Sequence, residues 1–214
     1  MAAIATARAA TPSFQDFDRR ATEGERLTVV FFGASLTWGA NATDPQLTSY
    51  RAAMARNFEE AYPKAHFHFY DAAIGGTGSQ LGVFRLERDV FRWKPDLVFV
   101  DFSANDDIYS DSPEQLASYE AIVRRIILEA KAPVVQVIFP FQWNVSAGST
   151  DGMKRRDAHY QIAKAYHAAV GDAISLGIER VKSGKMTIQQ IWPADGVHPS
   201  DEGYAMFADA AWQG

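Results

Sequence analysis

Near the carboxyl end of the chain, Asp195-Gly196-Val197-His198-Pro199 sets an acid and a base three positions apart on a loop rich in glycine and proline. That spacing lets both side chains reach one spot. Near the other end, Phe32-Gly33-Ala34-Ser35-Leu36 carries a serine off an apolar run through two small residues, where a sharp turn can expose the hydroxyl. Serine is a poor nucleophile until a neighbouring base takes its proton. Histidine serves as that base when a carboxylate holds its other ring nitrogen and fixes the tautomer. Between the two segments, Gly75-Gly76-Thr77-Gly78 lets the backbone approach a ligand and aim an N–H at it. Asn105, in Ser103-Ala104-Asn105-Asp106, offers a side-chain amide to a developing oxyanion. The chemistry these residues can perform together is acyl transfer through serine. Ser35 is the candidate nucleophile, His198 the base and Asp195 its orienting acid. Backbone N–H groups after the serine and in the glycine cluster, with the Asn105 side chain, are candidate oxyanion donors.

Each piece has a plainer reading when taken alone. Ser35 can cap a helix, the glycines can form a tight turn, Asn105 can close an Asx turn, and His198 can be a surface residue. The glycines do not complete a dinucleotide fingerprint, because Leu81 stands where the third glycine would be. Asp106 and Asp107 read as turn residues or loop supports, and no histidine lies near them in sequence to suggest a metal site. His66 and His68 on a strand, and His159 and His167 on a helix, read as core or surface residues. The order, strand-end placement and complementary roles of the set favour the joint reading.

The elements that must position these residues alternate. Residues 27–32 form a nearly continuous apolar run, as buried parallel strands do. Further strands are expected at 66–70, 97–100 and 134–139, with a weaker fifth near 178–181. Helices are expected at 48–61, 80–92, 113–130, 153–172 and 201–212; that at 113–130 places Leu116, Tyr119, Ile122, Val123, Ile126 and Ile127 on one face. Ser200 is a natural N-cap for the last. Such alternation implies a parallel sheet covered on both faces, with ligands bound beyond the carboxyl ends of the strands.

The composition is that of an ordinary globular chain of 214 residues, 47% hydrophobic and 22% charged. A single domain over 25–214 is expected, with 1–24 as an N-terminal extension, partly disordered or lying on the domain. The net charge of −5 argues against nucleic acid or an anionic membrane surface as partner. Lys154-Arg155-Arg156, the densest basic run, reads as a solvated helix start. With no cysteine, disulfides and thiolate chemistry are excluded. No apolar run reaches the ~18 residues of a membrane span. The alanine-rich residues 1–13 lack the charged start and long apolar stretch of an intact signal peptide. They read as the tail of a trimmed export signal or as a frayed terminus, consistent with a cytoplasmic or an exported protein. No signal for an oligomeric state is present.

At these residues the chain resembles the SGNH hydrolases, the GDSL esterases and lipases, over about residues 27–210. Gly33-Ala34-Ser35-Leu36 matches the first block, with Ala34 where the family usually has Asp. Asp71-Ala72-Ala73-Ile74-Gly75-Gly76 matches the second, with Asp71 replacing the usual Asn. Ser103-Ala104-Asn105-Asp106 matches the third, whose usual form begins with Gly; Asp195-Gly196-Val197-His198 matches the last. The resemblance implies a three-layer α/β/α fold like flavodoxin, with a five-stranded parallel sheet in the order 2-1-3-4-5. It also implies that Ser35 attacks, that His198 is the base oriented by Asp195, and that the Ser35 N–H, the Gly76 N–H and the Asn105 side chain form the oxyanion hole. No cofactor and no metal are expected. Ala34 removes a side chain that often braces the first block, and Ser103 is expected to narrow the pocket floor or add a hydroxyl there.

Trp38, Asn41, Tyr109, Phe141, Gln142, Trp143 and Asn144 fall in loops expected at the mouth, and such residues stack on sugars and bond their hydroxyls. Trp38, Tyr109, Gln142 and Trp143 are the candidate substrate-binding residues. With little length for a lid, and with carbohydrate acetylesterases frequent in the family, the expected reaction is hydrolysis of a small acyl ester, acetyl above all, on a carbohydrate. The competing enzyme reading is a lipase, thioesterase or lysophospholipase acting on longer chains. Two competitors of other classes are a non-catalytic carbohydrate-binding domain and a flavodoxin-like nucleotide or flavin protein. The intact residue set disfavours the first, and the 33–39 segment fits a phosphate-cradling loop poorly.

Overall fold

The computed structural model describes residues 12–214. Five parallel strands form one sheet in the order β2-β1-β3-β4-β5. They are β1 (Arg26–Gly33), β2 (His66–Ala73), β3 (Leu97–Val100), β4 (Val134–Ile138) and β5 (Ala169–Asp172). The central strands β3 and β4 are buried at every position, as a sheet covered on both faces requires. Side chains alternate between two apolar layers. Val29, Phe31, Phe99, Val135 and Val137 face α1 (Phe14–Glu23), α3 (Tyr50–Ala61), α8 (Ala173–Lys182) and α10 (Asp201–Gln213). Val30, Phe32, Val98, Val100 and Val134 face α4 (Ser79–Asp89), α5 (Pro113–Arg125) and Ile162 of α7 (Lys154–Tyr166). Three short helices, α2 (Ser35–Trp38), α6 (Gln142–Ser146) and α9 (Ile188–Ile191), lie between these elements.

The three-layer order agrees with the expected one, but the fifth strand does not lie where periodicity placed it. Residues 178–181 belong to α8, which Asp172 caps by accepting a hydrogen bond from the Ser175 N–H (3.0 Å). The strand is instead Ala169–Asp172, inside the span expected to be helical through 172. Helix α7 stops at Tyr166 because His167 turns left-handed (φ 55°). Gly171 then lets α10 approach: a Cβ there would lie 2.7 Å from the Ala211 Cα. The alanines around this four-residue edge strand hid it. The helix expected at 80–92 ends at Asp89, with a separate tight turn at Phe91–Trp93. That expected at 113–130 is regular only to Arg125 and widens over Ile126–Ala130. Ser200 does cap α10, accepting from the Gly203 N–H (3.2 Å). The segment expected as an N-terminal extension includes α1, which buries Phe17 and Ala21 in the first layer. The alanine-rich start, through residue 11, lies outside the described residues.

The basic run at 154–156 is not simply solvated. Arg155 is buried, with its backbone N–H on the Ile108 carbonyl (3.0 Å) and its Nη2 on Gln115 Oε1 (3.1 Å). Arg156 pairs with Asp172 at 2.8 Å. His159 is fully buried, stacked on Tyr119 at 3.8 Å; burial, and then the charge of Arg155, push its pKa down to about 3. Among the described residues, no helix is long and apolar enough to cross a membrane.

Candidate active site

Ser35 opens the single helical turn α2 immediately after β1. Gly33 makes that turn possible: a Cβ there would sit 2.2 Å from Thr37 Oγ1 and 2.7 Å from the Asp101 carbonyl oxygen. Gly39 ends the turn in the left-handed region (φ 96°). The His198 ring closes on it from the other end of the chain, with Nε2 3.2 Å from Ser35 Oγ. Its Nδ1 lies 2.8 Å from Asp195 Oδ2. With Nδ1 protonated toward the carboxylate, Nε2 is free to take a proton from the hydroxyl.

The acid–base loop is held from within. Asp195 Oδ1 accepts from the Val197 and His198 N–H groups, both at 2.8 Å. Gly196 lies in the left-handed region (φ 71°), and its carbonyl accepts from the Gln142 N–H (2.8 Å). Desolvation is the largest single influence on Asp195 and raises its pKa. The hydrogen bonds from His198 and Val197 together outweigh it and hold the carboxyl at about 2.

The glycine loop packs beside the serine. A Cβ on Gly75 would lie 3.7 Å from the Ser35 Cβ, while Gly76 adopts φ 72° with open space around it. Asn105 is exposed on the loop after β3, the strand next to β1. The structure therefore brings Ser35, His198 and Asp195 into one hydrogen-bonded line and sets the glycine loop against Ser35. A serine, a base and backbone donors so arranged can carry out acyl transfer.

Four buried side chains hold these loops, and all but Asp106, expected as a turn residue or loop support, were missed in the sequence. Arg85 donates to the Gly33 carbonyl (2.7 Å) from Nη2 and to the Ala72 carbonyl (2.6 Å) from Nη1, joining the ends of β1 and β2. Its guanidinium lies 4.3 Å over the Phe32 ring and pairs with Asp89 at 2.9 Å. Arg51 donates to the Thr37 and Trp38 carbonyls, both at 3.1 Å, and pairs with Asp71 at 3.1 Å. Thr37 donates its hydroxyl to Asp101 Oδ2 at 2.9 Å. Asp106 Oδ1 accepts from the Ser79 N–H at 2.9 Å. It thus caps α4, whose own cap residue, Gly78, has no side chain. A Cβ on Gly78 would meet that oxygen at 2.5 Å. One carboxylate locks the loop bearing Asn105 to the helix that follows the glycine loop. Apart from Asp106, only Asp101, a carboxylate ending the apolar run Leu97-Val98-Phe99-Val100, leaves a trace in the sequence.

Ser103 differs from expectation: it is fully buried, and its Oγ accepts from the Phe139 N–H (2.9 Å), joining the loops after β3 and β4 rather than lining a pocket. Of the expected substrate-binding residues, Trp38 lies on α2 with Ser35, half exposed. Gln142 touches Gly196, and its Oε1 would be 2.7 Å from a Cβ there. Tyr109 and Trp143 are exposed on the loop after β3 and on α6. A groove of about 260 Å³ runs between those two segments. A larger crevice of about 320 Å³ opens at the opposite edge of the sheet, by Leu97 and Val135. In its wall the Tyr62 hydroxyl donates to Asp18 Oδ1 at 2.7 Å. No group of three His, Asp or Glu side chains is placed to hold a metal ion among the described residues.

The sequence profile of the GDSL-like Lipase/Acylhydrolase family matches residues 31–206. The chain belongs to that family. Membership makes it a carboxylic ester hydrolase. An acetylxylan esterase of Geobacillus stearothermophilus is 25% identical over 205 residues, which cover 87% of this chain and 92% of that protein. A two-domain esterase active on acetylated mannans is 30% identical with a TM-score of 0.81 over 93% of this chain. The chain spans about half the length of that esterase, 51%. A crystal structure of an acetylxylan esterase from Geobacillus stearothermophilus shares the fold at 23% identity, with a TM-score of 0.68 over 90% of this chain and 95% of that one.

Two expectations follow from the bracing. Burial pushes the Asp101 carboxyl up to about 7, against the lowering effect of the Thr37 hydrogen bond. From about pH 4 to about pH 7 the folded state keeps a proton that the unfolded chain has released, so stability falls as pH rises. Asp101→Asn abolishes this dependence. Its gain in melting temperature over wild type should grow between about pH 5 and pH 7 and then level off; a gain independent of pH would contradict a neutral buried Asp101. Asp106→Ala removes the cap on α4 and should lower kcat on an aryl acetate roughly tenfold or more through misplaced donors, with KM little changed. Asp106→Asn keeps an acceptor for the Ser79 N–H and should restore most of the loss. Equal kcat in both variants and wild type would remove Asp106 from this role.

Proposed function

We propose that the chain hydrolyses small acyl esters, acetyl above all, on a carbohydrate, through an acyl-serine intermediate. The observation that carries the mechanism is the continuous contact from Ser35 Oγ to His198 (3.2 Å) and from His198 to Asp195 (2.8 Å). Ser35 Oγ attacks the ester carbonyl while His198 Nε2 takes its proton. The Ser35 and Gly76 N–H groups and the Asn105 amide receive the oxyanion. Collapse of the tetrahedral species breaks the bond to the sugar oxygen, which leaves with the proton from His198. Water, deprotonated by the same imidazole, then attacks the acyl-serine, releasing acetate and restoring Ser35. Asp195, held ionised at neutral pH, stabilises the imidazolium in both halves.

The sugar half of the reading is supported by relatives that act on acetylated mannans and acetylxylan. It is also supported by the exposed aromatic rings of Trp38, Tyr109 and Trp143 on the segments around the serine and the Asn105 loop. Together with Gln142 at the acid–base loop, these are the proposed substrate-contacting residues.

Hydrolysis of p-nitrophenyl acetate, butyrate and octanoate, and of acetylated xylo- and mannooligosaccharides, tests both halves. The expected result is activity on short esters and acetylated sugars that falls by several orders of magnitude in a folded Ser35→Ala. Rates rising toward octanoate would move the substrate to longer acyl chains. Asn105→Ala should cost roughly 10²–10³-fold in kcat; a loss under about tenfold would remove Asn105 from the oxyanion hole.

A further inference from the structure

We infer that the groove beside the Asn105 loop is a subsite for a neutral sugar ring, with Trp143 as its platform and Asp107 as its hydroxyl acceptor. This rests on the carbohydrate reading above and specifies the class of sugar. The groove is lined by Ala104, Asp107, Ile108, Phe141, Trp143 and Asn144. It is continuous with the site at both walls. Ala104 directly precedes Asn105, and α6 is bonded to the acid–base loop through Gln142 and Gly196 (2.8 Å). A ring in the groove therefore lies one residue from a proposed oxyanion donor on one side and against α6, the helix bonded to the loop of the base, on the other.

The lining has the two faces of a pyranose. Trp143 is 52% exposed, yet its ring is held by Phe141, with centroids 4.7 Å apart and planes at 47°. Asn144 stiffens the same turn: its Oδ1 accepts from the Phe141 N–H at 2.7 Å, while its buried Nδ2 has no partner in the protein. An indole so fixed offers a flat apolar face for sugar C–H groups with little entropy left to lose. Across the groove, Asp107 holds a left-handed backbone (φ 58°), a conformation that a non-glycine residue keeps only where its surroundings impose it. Its Oδ1 turns back to accept from the Tyr109 N–H (3.1 Å), which orients the carboxylate and leaves Oδ2 to accept from a hydroxyl. Ala104 and Ile108, both buried, give an apolar floor.

The same lining selects against two other occupants. A fatty chain would desolvate the Asp107 carboxylate without pairing it, a large cost for an ionised group. A uronate would place a second carboxylate beside Asp107, in a chain of net charge −5. The favoured substrates are acetylated neutral oligosaccharides, and acetylated oligogalacturonates are disfavoured.

The test compares kcat/KM for wild type, Trp143→Ala and Asp107→Asn on acetylated xylooligosaccharides, acetylated oligogalacturonates and p-nitrophenyl acetate. Asparagine tolerates the left-handed backbone, so Asp107→Asn keeps the turn. Wild type should favour the neutral sugar over the uronate by roughly tenfold or more, and each variant should lose about tenfold more on the neutral sugar ester than on the aryl ester. Asp107→Asn should also narrow the gap between neutral and acidic sugars. Wild type acting equally on both sugars, or variants losing equally on sugar and aryl esters, would overturn the subsite while leaving a sugar esterase standing. Wild type acting on the aryl ester and on neither sugar would instead overturn the carbohydrate reading itself, and the subsite with it.

Discussion

At the carboxyl ends of parallel strands, backbone carbonyls run out of ladder partners while still surrounded by apolar side chains. Arg85 serves two strand ends at once, as a donor to the Ala72 carbonyl and as a second donor to the Gly33 carbonyl, which the Ile74 N–H also reaches (3.1 Å). Its donors reach the last carbonyls of the β1 and β2 region, and its flat face rests on Phe32. Burial lowers the guanidinium's pKa, and the pairing with Asp89 works against that shift. Removing one partner from such a cluster leaves a buried charge uncompensated, a far greater loss than never having had the cluster. The loops that start at these strand ends inherit their positions from this cluster.

The same logic explains how the first motif works without its usual aspartate. Ala34 is buried and has no side chain with which to tie the turn down. The work passes to Thr37 and Asp101 beneath the turn and to Arg51 behind it. Arg51 also reaches Asp71, the other departure from the family pattern, so one side chain ties the turn after Ser35 to the unusual residue of the second block.

Much of this was legible in the sequence, and for identifiable reasons. Residues 27–32, 97–100 and 134–139 are apolar runs too long and too β-branched to be loops, and they mark the three central strands. Asp195 and His198 are separated by only Gly196 and Val197, and the freedom of that glycine to turn left-handed almost dictates their meeting. What periodicity could not show was β5, a four-residue edge strand among alanines. Nor could it show Arg85, Arg51 or Asp106, because their partners are backbone atoms 13 to 52 positions away. Backbone acceptors have no identity in a sequence, so a residue that serves them looks like any other charged helix or turn residue. Ser103 was misread for a related reason: its hydroxyl bonds a neighbouring strand end instead of facing the cleft.

The proposed nucleophile and base lie 163 positions apart, on loops held together by the packing of α10 against α3, by the Tyr204 hydroxyl on the Ala40 carbonyl (2.7 Å) and by the Thr43 N–H on Asp201 (2.8 Å). Asp195 and His198 form a self-contained turn and keep their mutual geometry; the gap to Ser35 depends on the docking of α10. Loosening α10 from α3 therefore parts base from nucleophile while the acid–base pair and the sheet stay intact.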